Sequence, residues 1–205
     1  MSEKNNENNE YSEIIFSPNI IEFVTVANQY CIFVENYADI EKREFLEKAH
    51  KLLAILYVKS LSAEKPEVTG DYNVEKFVNE MDWTVLSDRI SEKLGEHDKF
   101  FDVIDPTNPN ETININFSES LADIYQDLKD FTSLYKISVA ESVNEGLWEC
   151  LNNFQYFWGP RITALMKELH TLVYSDTDLS QKTTTQKPEE DLQKPSNWVD
   201  QMFGE

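Results

Sequence analysis

The chain has 205 residues, with 38 Asp and Glu against 18 Lys and Arg, a formal net charge of −20. Such acidity excludes the cationic surface that neutralises phosphates, so neither direct nucleic-acid binding nor attraction to an anionic membrane is expected. No apolar run approaches the roughly 18–20 residues that span a bilayer, and the opening MSEKNNENNEYSE lacks the basic-then-apolar pattern of a secretory leader, so a cytoplasmic location is expected.

In chain order, residues 1–12 are rich in Asn and Glu and read as a disordered N-terminus. Residues 13–174 read as one helical domain. Ser17-Pro18 opens a helix over 18–37, with Ser17 as cap and Pro18 at a position that costs no hydrogen bond. Ile20, Val24, Ala27, Cys31 and Val34 form its apolar line. Asp39 is expected to cap a second helix over 40–62, buried through Phe45, Ala49, Leu52, Leu53 and Leu56. Glu44–Lys48 and Glu47–Lys51 mark its solvated side.

Residues 73–80 suit one or two helical turns. Asp82 then caps a helix through Leu94, and Gly95 sits where a left-handed C-cap belongs. The stretch 96–117 is irregular. Its end, Thr112 to Phe117, alternates apolar and polar like a strand, but with no visible partner it is expected as extended chain across the helices. Ser118 should cap a helix over 119–136 with Leu121, Ile124, Tyr125, Leu128, Phe131 and Tyr135 inward. Ser138 and Glu141 suggest a capping box for the last helix. From Leu147 through Leu151, Phe154, Trp158, Ile162, Leu165 and Leu169 to Leu172 the helical phase is unbroken across Gly159-Pro160. One continuous kinked helix is therefore expected. The fold class is all-α, an antiparallel bundle of about five to six helices with one long irregular connection.

Beyond the domain, residues 175–195 read as a disordered linker and 196–203 as a short amphipathic segment. The acidity is not a property of the ends: net −14 falls on 13–174. Cys31 and Cys150 lie among apolar residues without metal-ligand spacing and are expected as buried, reduced thiols.

Four features carry possible chemistry. Asp123, Asp127 and Asp130 share a helix face that could hold a cation, but at 100° per residue that face lies opposite the apolar arc, so it is expected to be solvated. Glu41, Glu44 and Glu47 resemble half of a magnesium-binding pair of motifs, and the second half is missing. The loop 95–106 gathers His97, Asp98, Asp102 and Asp105 around Phe100, Phe101, Val103 and Ile104. It reads either as a structural loop plugging the bundle or as a ligand or metal site, although the spacing fits neither zinc nor EF-hand patterns. His50 and His170 suit ordinary packing. Finally, Trp198, Val199, Met202 and Phe203 share one helix face after a long polar run, the pattern of a segment that seats in a groove on a partner or on its own domain.

The stretch from Leu94 to Pro106, LGEHDKFFDVIDP, and that from Leu121 to Phe131, LADIYQDLKDF, resemble a bacterial family known as domain of unknown function 5063. Residues 17–30, SPNIIEFVTVANQY, and 147–154, LWECLNNF, followed by Tyr156, Trp158 and Gly159, resemble it too. Pro160 departs from the pattern. The resemblance implies a helical bacterial protein and carries over no activity and no catalytic residue.

No cofactor motif is present, and no cofactor is expected. The function expected from these features is a non-catalytic protein-interaction module, its partner another protein, with a basic surface the kind to look for. A metal-dependent hydrolase using 96–105 and an acidic mimic of nucleic acid are the alternatives.

Overall fold

The computed structural model describes residues 13–67, 74–103, 112–137 and 139–179. Its main elements are α1 (Pro18–Glu35), a 3-10 turn (Tyr37–Asp39), α2 (Lys42–Ser62), α3 (Glu80–Leu94), a second 3-10 turn (Gly95–Asp98), β1 (Lys99–Val103), β2 (Thr112–Asn116), α4 (Phe117–Ile137), α5 (Ala140–Asn153), a π turn (Phe154–Trp158) and α6 (Gly159–Tyr174). The fold is thus mostly helical, as the periodicity predicts. Helix α4 is central: α1, α3 and α5 pack on it, while α2 bridges α1 and α6.

The core follows the apolar lines read from the sequence. Phe23 of α1 stacks on Phe131 of α4, and Phe33 on Phe45 of α2. Tyr30 is fully buried, and its hydroxyl donates to the Leu121 carbonyl at 2.9 Å, so its polar tip is satisfied inside the core. Leu165 is fully buried. Leu165→Ala is expected to cost at least about 2 kcal/mol in urea unfolding, because the site cannot collapse onto the missing atoms.

Helix starts depart from expectation. Pro18 occupies the first helical position, but Ser17 makes no side-chain cap bond. Asp39 lies in the 3-10 turn, and Glu41 holds the cap position of α2, also without a side-chain bond. At α3 the cap is Asn79, and Asp82 is the third helical residue of a reciprocal capping box. Residues 74–79 carry no regular secondary structure rather than helical turns. Helix α5 begins at Ala140 with Val139 at its cap position and no side-chain bond there, while Ser138 of the expected capping box lies outside the described residues. Gly95 follows α3 with φ 60° and ψ −126°, a positive φ that glycine adopts at little cost.

The alternating segment does have a partner. β1 and β2 pair antiparallel, Lys99 opposite Asn116 and Val103 opposite Thr112. Phe100 is buried against Phe117, whereas Phe101 is 69% exposed. The ribbon needs no wider sheet, because Phe100 anchors it to the bundle.

The continuous course of the last helix is observed. Phe154, Trp158 and Gly159 all keep right-handed helical angles between α5 and α6. The Gly159 N–H reaches the Phe154 carbonyl, five residues back. A widened turn fits ahead of Pro160, which lacks an N–H and whose ring clashes with the carbonyl four residues earlier in a regular helix. A Cβ on Gly159 would lie 2.2 Å from the Phe154 oxygen, so this turn requires glycine.

The polar run expected to leave the domain at 175 instead continues on it. The Thr177 carbonyl accepts from Arg43, and Leu179 is buried at 2% exposure. Burial of Leu179 and the Arg43 hydrogen bond hold these residues on the domain.

Candidate functional site

The aspartate face of α4 is covered, which corrects the solvated reading. Asp130 is 3% exposed. Its Oδ1 accepts from the backbone N–H of Phe77 and Val78 at 2.7 and 2.9 Å, while Lys76 lies 3.9 Å from Oδ2 and pairs with Glu149 at 2.9 Å. Asp123 accepts from the Trp83 indole at 3.0 Å and from Arg161 Nε at 2.9 Å. Asp127 Oδ1 accepts from Asn153 at 3.0 Å, and its Oδ2 is buried with no partner among the described residues. Only Glu119 of this face is exposed, bonded to Asn116. The phase argument fails because α4 is surrounded: α3, the 74–79 segment, α5 and α6 supply donors to the side opposite the apolar arc.

Burial pushes the pKa of all three aspartates upward, against the opposing pull of their donors. Asp127, with one weak donor and an orphan oxygen, rises to about 6. The cleft it shares with Lys76, Asp130 and Glu149 has a volume of about 10 Å³, too small for a substrate. The three side chains therefore act as struts from α4 to its neighbours. Because the folded Asp127 binds its proton more tightly than the unfolded chain, the stability it contributes is greatest below about pH 4 and is lost as pH rises to about 6. Asp127→Asn is expected to stabilise the protein at pH 7 by about 1–3 kcal/mol and to flatten the pH 4–6 dependence of the urea midpoint. A less stable Asn variant at pH 7 refutes this.

The described loop residues, His97, Asp98 and Asp102, do not assemble into one site. Asp98 is 2% exposed and accepts three hydrogen bonds at 2.8 Å, from Ser91 Oγ, Ser118 Oγ and the Ser118 N–H. It thereby caps the start of α4 from a distance, the role expected of Ser118, and its negative charge suits that end of the helix dipole. Asp102 pairs with Lys167 at 3.2 Å, and His97 Nε2 lies 3.8 Å from Glu96. Asp105 and Ile104 lie outside the described residues, as do Trp198, Val199, Met202 and Phe203. No group of three or more His, Cys, Asp or Glu among the described residues is placed to hold a metal ion. Glu44 pairs with Lys48 on an exposed face.

The remaining singled-out residues have packing roles. His50 and His170 meet edge to face at 5.7 Å beside Tyr174, and burial lowers the pKa of His50. Cys31 and Cys150 are free and buried, and burial pushes the Cys31 thiol up to about 12.

The concave feature absent from the sequence reading is a groove of about 520 Å³ between α3 and α4. Phe77, Val78, Met81, Val85, Leu86, Tyr37 and Tyr125 provide its apolar lining, with Glu35, Asp82, Arg89 and Lys129 among them. Met81 is 75% and Val85 41% exposed. The Tyr125 hydroxyl and Lys129 Nζ both donate to Glu35, at 2.9 and 2.6 Å, and brace α1 to α4 beside it. The sequence holds a signal for it. Met81, Val85 and Arg89 repeat every four residues on α3, on a stripe wider than Ile90 and Leu94 need for the core. A smaller, uncharged hollow of about 390 Å³ lies beside the π turn, lined by Tyr57, Leu61, Phe154 and Pro160 among others.

These features define an acidic, mostly helical domain with a two-stranded ribbon and an open apolar groove. Among the described residues, no helix is long and apolar enough to cross a membrane. The profile of the domain of unknown function DUF5063 matches residues 14–175, and the chain belongs to that family. Its fold is similar to that of a crystal structure of protein BF1032 from Bacteroides fragilis, with a TM-score of 0.72 and 35% identity over 80% of this chain and 98% of that one. No curated protein matches the chain.

Proposed function

We propose that the protein is a non-catalytic protein-interaction module that binds an apolar, amphipathic peptide segment in the α3–α4 groove. The observation that carries this is the groove itself. Its exposed Met81 and Val85 sit among apolar neighbours, and Glu35, Asp82, Arg89 and Lys129 line it with them. An apolar floor with a polar rim is how helix-in-groove recognition works: the floor supplies affinity and the rim sets orientation. Methionine adapts to varied side chains, which suits such a floor. The buried aspartates, by contrast, are committed to internal donors, and the cleft at Asp127 and Asp130 is too small for a substrate. A cytoplasmic setting fits the two free thiols. The net charge of −20 favours a partner that is neutral or basic outside its apolar contact.

The test is selection of displayed amphipathic peptides on the immobilised full chain. Peptides with bulky apolar residues four apart should be enriched, and Val85→Glu should abolish their binding. The variant should fold normally, because Val85 is 41% exposed. A selection that yields no Val85-dependent peptide overturns the proposal.

A further inference from the structure

The tethered apolar segment of the sequence and the unfilled groove of the fold fit each other. We infer that residues 196–203 of this same chain seat in the α3–α4 groove and occupy it until an outside peptide displaces them. The inference rests on the groove reading above and names the groove's resident ligand.

Three observations lead to it. The first is where the chain leaves the domain. The last described residue, Leu179, is buried, and the Thr177 carbonyl is held by Arg43 at 3.3 Å. Arg43 is in the first turn of α2, six residues along the chain from Tyr37, which lines the groove. Six residues span at most about 20 Å. Lys93, at the end of α3, also donates to the Ile40 carbonyl and lies over the Tyr37 ring, so α3 meets this same stretch. The exit point and the groove therefore share one end of the bundle.

The second is the tether. Residues 180–197 form a polar, glycine-free run of 18 residues, a contour of up to about 60 Å. That contour exceeds the distance from the exit point to Tyr37 bounded above, and a ligand held on such a tether has a local concentration on the order of millimolar. Even a weak contact then keeps the groove occupied.

The third is chemistry. Trp198, Val199, Met202 and Phe203 fall on one helix face, four apolar side chains for an apolar lining. The same segment carries Asp200, with Glu205 just beyond, and neither Lys nor Arg from 195 onward. On the groove, Glu35 is already neutralised by Lys129 and Tyr125, and Asp82 accepts from the Asn79 N–H. Arg89 is exposed and makes no ion pair among the described residues. The charged lining of the groove, Glu35 and Asp82 with Lys129 and Arg89, balances overall, but Arg89 is left without an ion-pair partner among the described residues and Asp200 of the segment supplies one.

The experiment places the photo-reactive residue p-benzoylphenylalanine at position 203 of the full chain, irradiates at low micromolar concentration, and maps cross-links by mass spectrometry. Cross-links within single chains to residues 77–89 or 125–129 are expected. Val85→Glu and, separately, Arg89→Glu should each reduce their yield about tenfold, while leaving the circular dichroism unchanged. Cross-links confined to dimers, cross-links to any other surface, or none at all overturn the inference. The peptide selection keeps the two ideas apart. Val85-dependent displayed peptides without groove cross-links leave the interaction reading standing and remove the tail from the groove. Groove cross-links without any displayed peptide support the tail and remove the outside partner. If both hold, Trp198→Ser with Phe203→Ser should tighten displayed-peptide binding about tenfold or more, because the internal competitor is gone.

Discussion

Asp98→Ala is expected to lower stability by about 3–5 kcal/mol, the cost of stranding several buried donors that relied on one charged acceptor. Asp98 is 2% exposed, and its two oxygens serve Ser91, the Ser118 hydroxyl and the Ser118 amide. These bonds tie the end of α3 and the turn after it to the first turn of α4. The N–H groups of that turn have no intrahelical partner, so the carboxylate does there what a cap residue does elsewhere. Asp98→Asn should recover part of the loss, because its amide oxygen still accepts but its NH2 faces donors. The measurement is urea unfolding of the three chains at pH 7. It also separates this role from metal binding. Millimolar magnesium, manganese or zinc should leave the wild-type midpoint unmoved, whereas a metal-dependent rise that Asp98→Ala abolishes would restore the loop as a metal site.

Trp158→Ala is expected to cost about 3–5 kcal/mol, as large aromatic truncations in cores do. Trp158 is fully buried in the π turn, with its ring centroid 4.8 Å from that of Phe154. The informative comparison is Trp158→Phe. The indole N–H is buried without a partner among the described residues, so the tryptophan carries an unmet donor as well as its apolar area. Phenylalanine removes that donor and leaves a smaller void, so its cost should be well under half that of alanine. Equal losses for the two variants would show that the donor is satisfied in solution. Thermal unfolding followed by circular dichroism reports both.

What could be read from the chain, and what could not, divides along one physical line. Apolar periodicity is local, and it located the helices and most of the core: Ala27, Leu53, Leu128, Trp158 and Leu165 are buried as the spacing predicts. The same line carried the last helix across Gly159-Pro160, although not the π turn that makes the crossing possible. Caps fared less well. A capping side chain competes with distant acceptors, and at α4 the winner was Asp98, twenty residues from Ser118. The ribbon was half legible. Thr112 to Asn116 alternates, but its partner Lys99–Val103 does not, so the pairing was hidden.

The candidate site was legible only in fragments. His97, Asp98, Asp102 and Asp105 are close in sequence, and nearness in sequence is not convergence: Asp98 turns inward, while Asp102 pairs with Lys167, 65 residues away. Met81, Val85 and Arg89 were visible as a repeat on α3, yet a stripe does not reveal whether another helix covers it.

By itself, then, the sequence determined the helical class, the extent of the helices, the inward lines and the acidic surface, because these depend on neighbours three and four residues apart. Only the tertiary structure decided the fate of Asp123, Asp127 and Asp130. Their donors come from Trp83, Arg161, Asn153 and the backbone at Phe77 and Val78, as far as 53 residues away, and a carboxylate on a helix is solvated or buried according to what packs over it. The groove is the same case in reverse. Met81 and Val85 have the character of core residues, and they stand open because the described elements end beside them rather than over them.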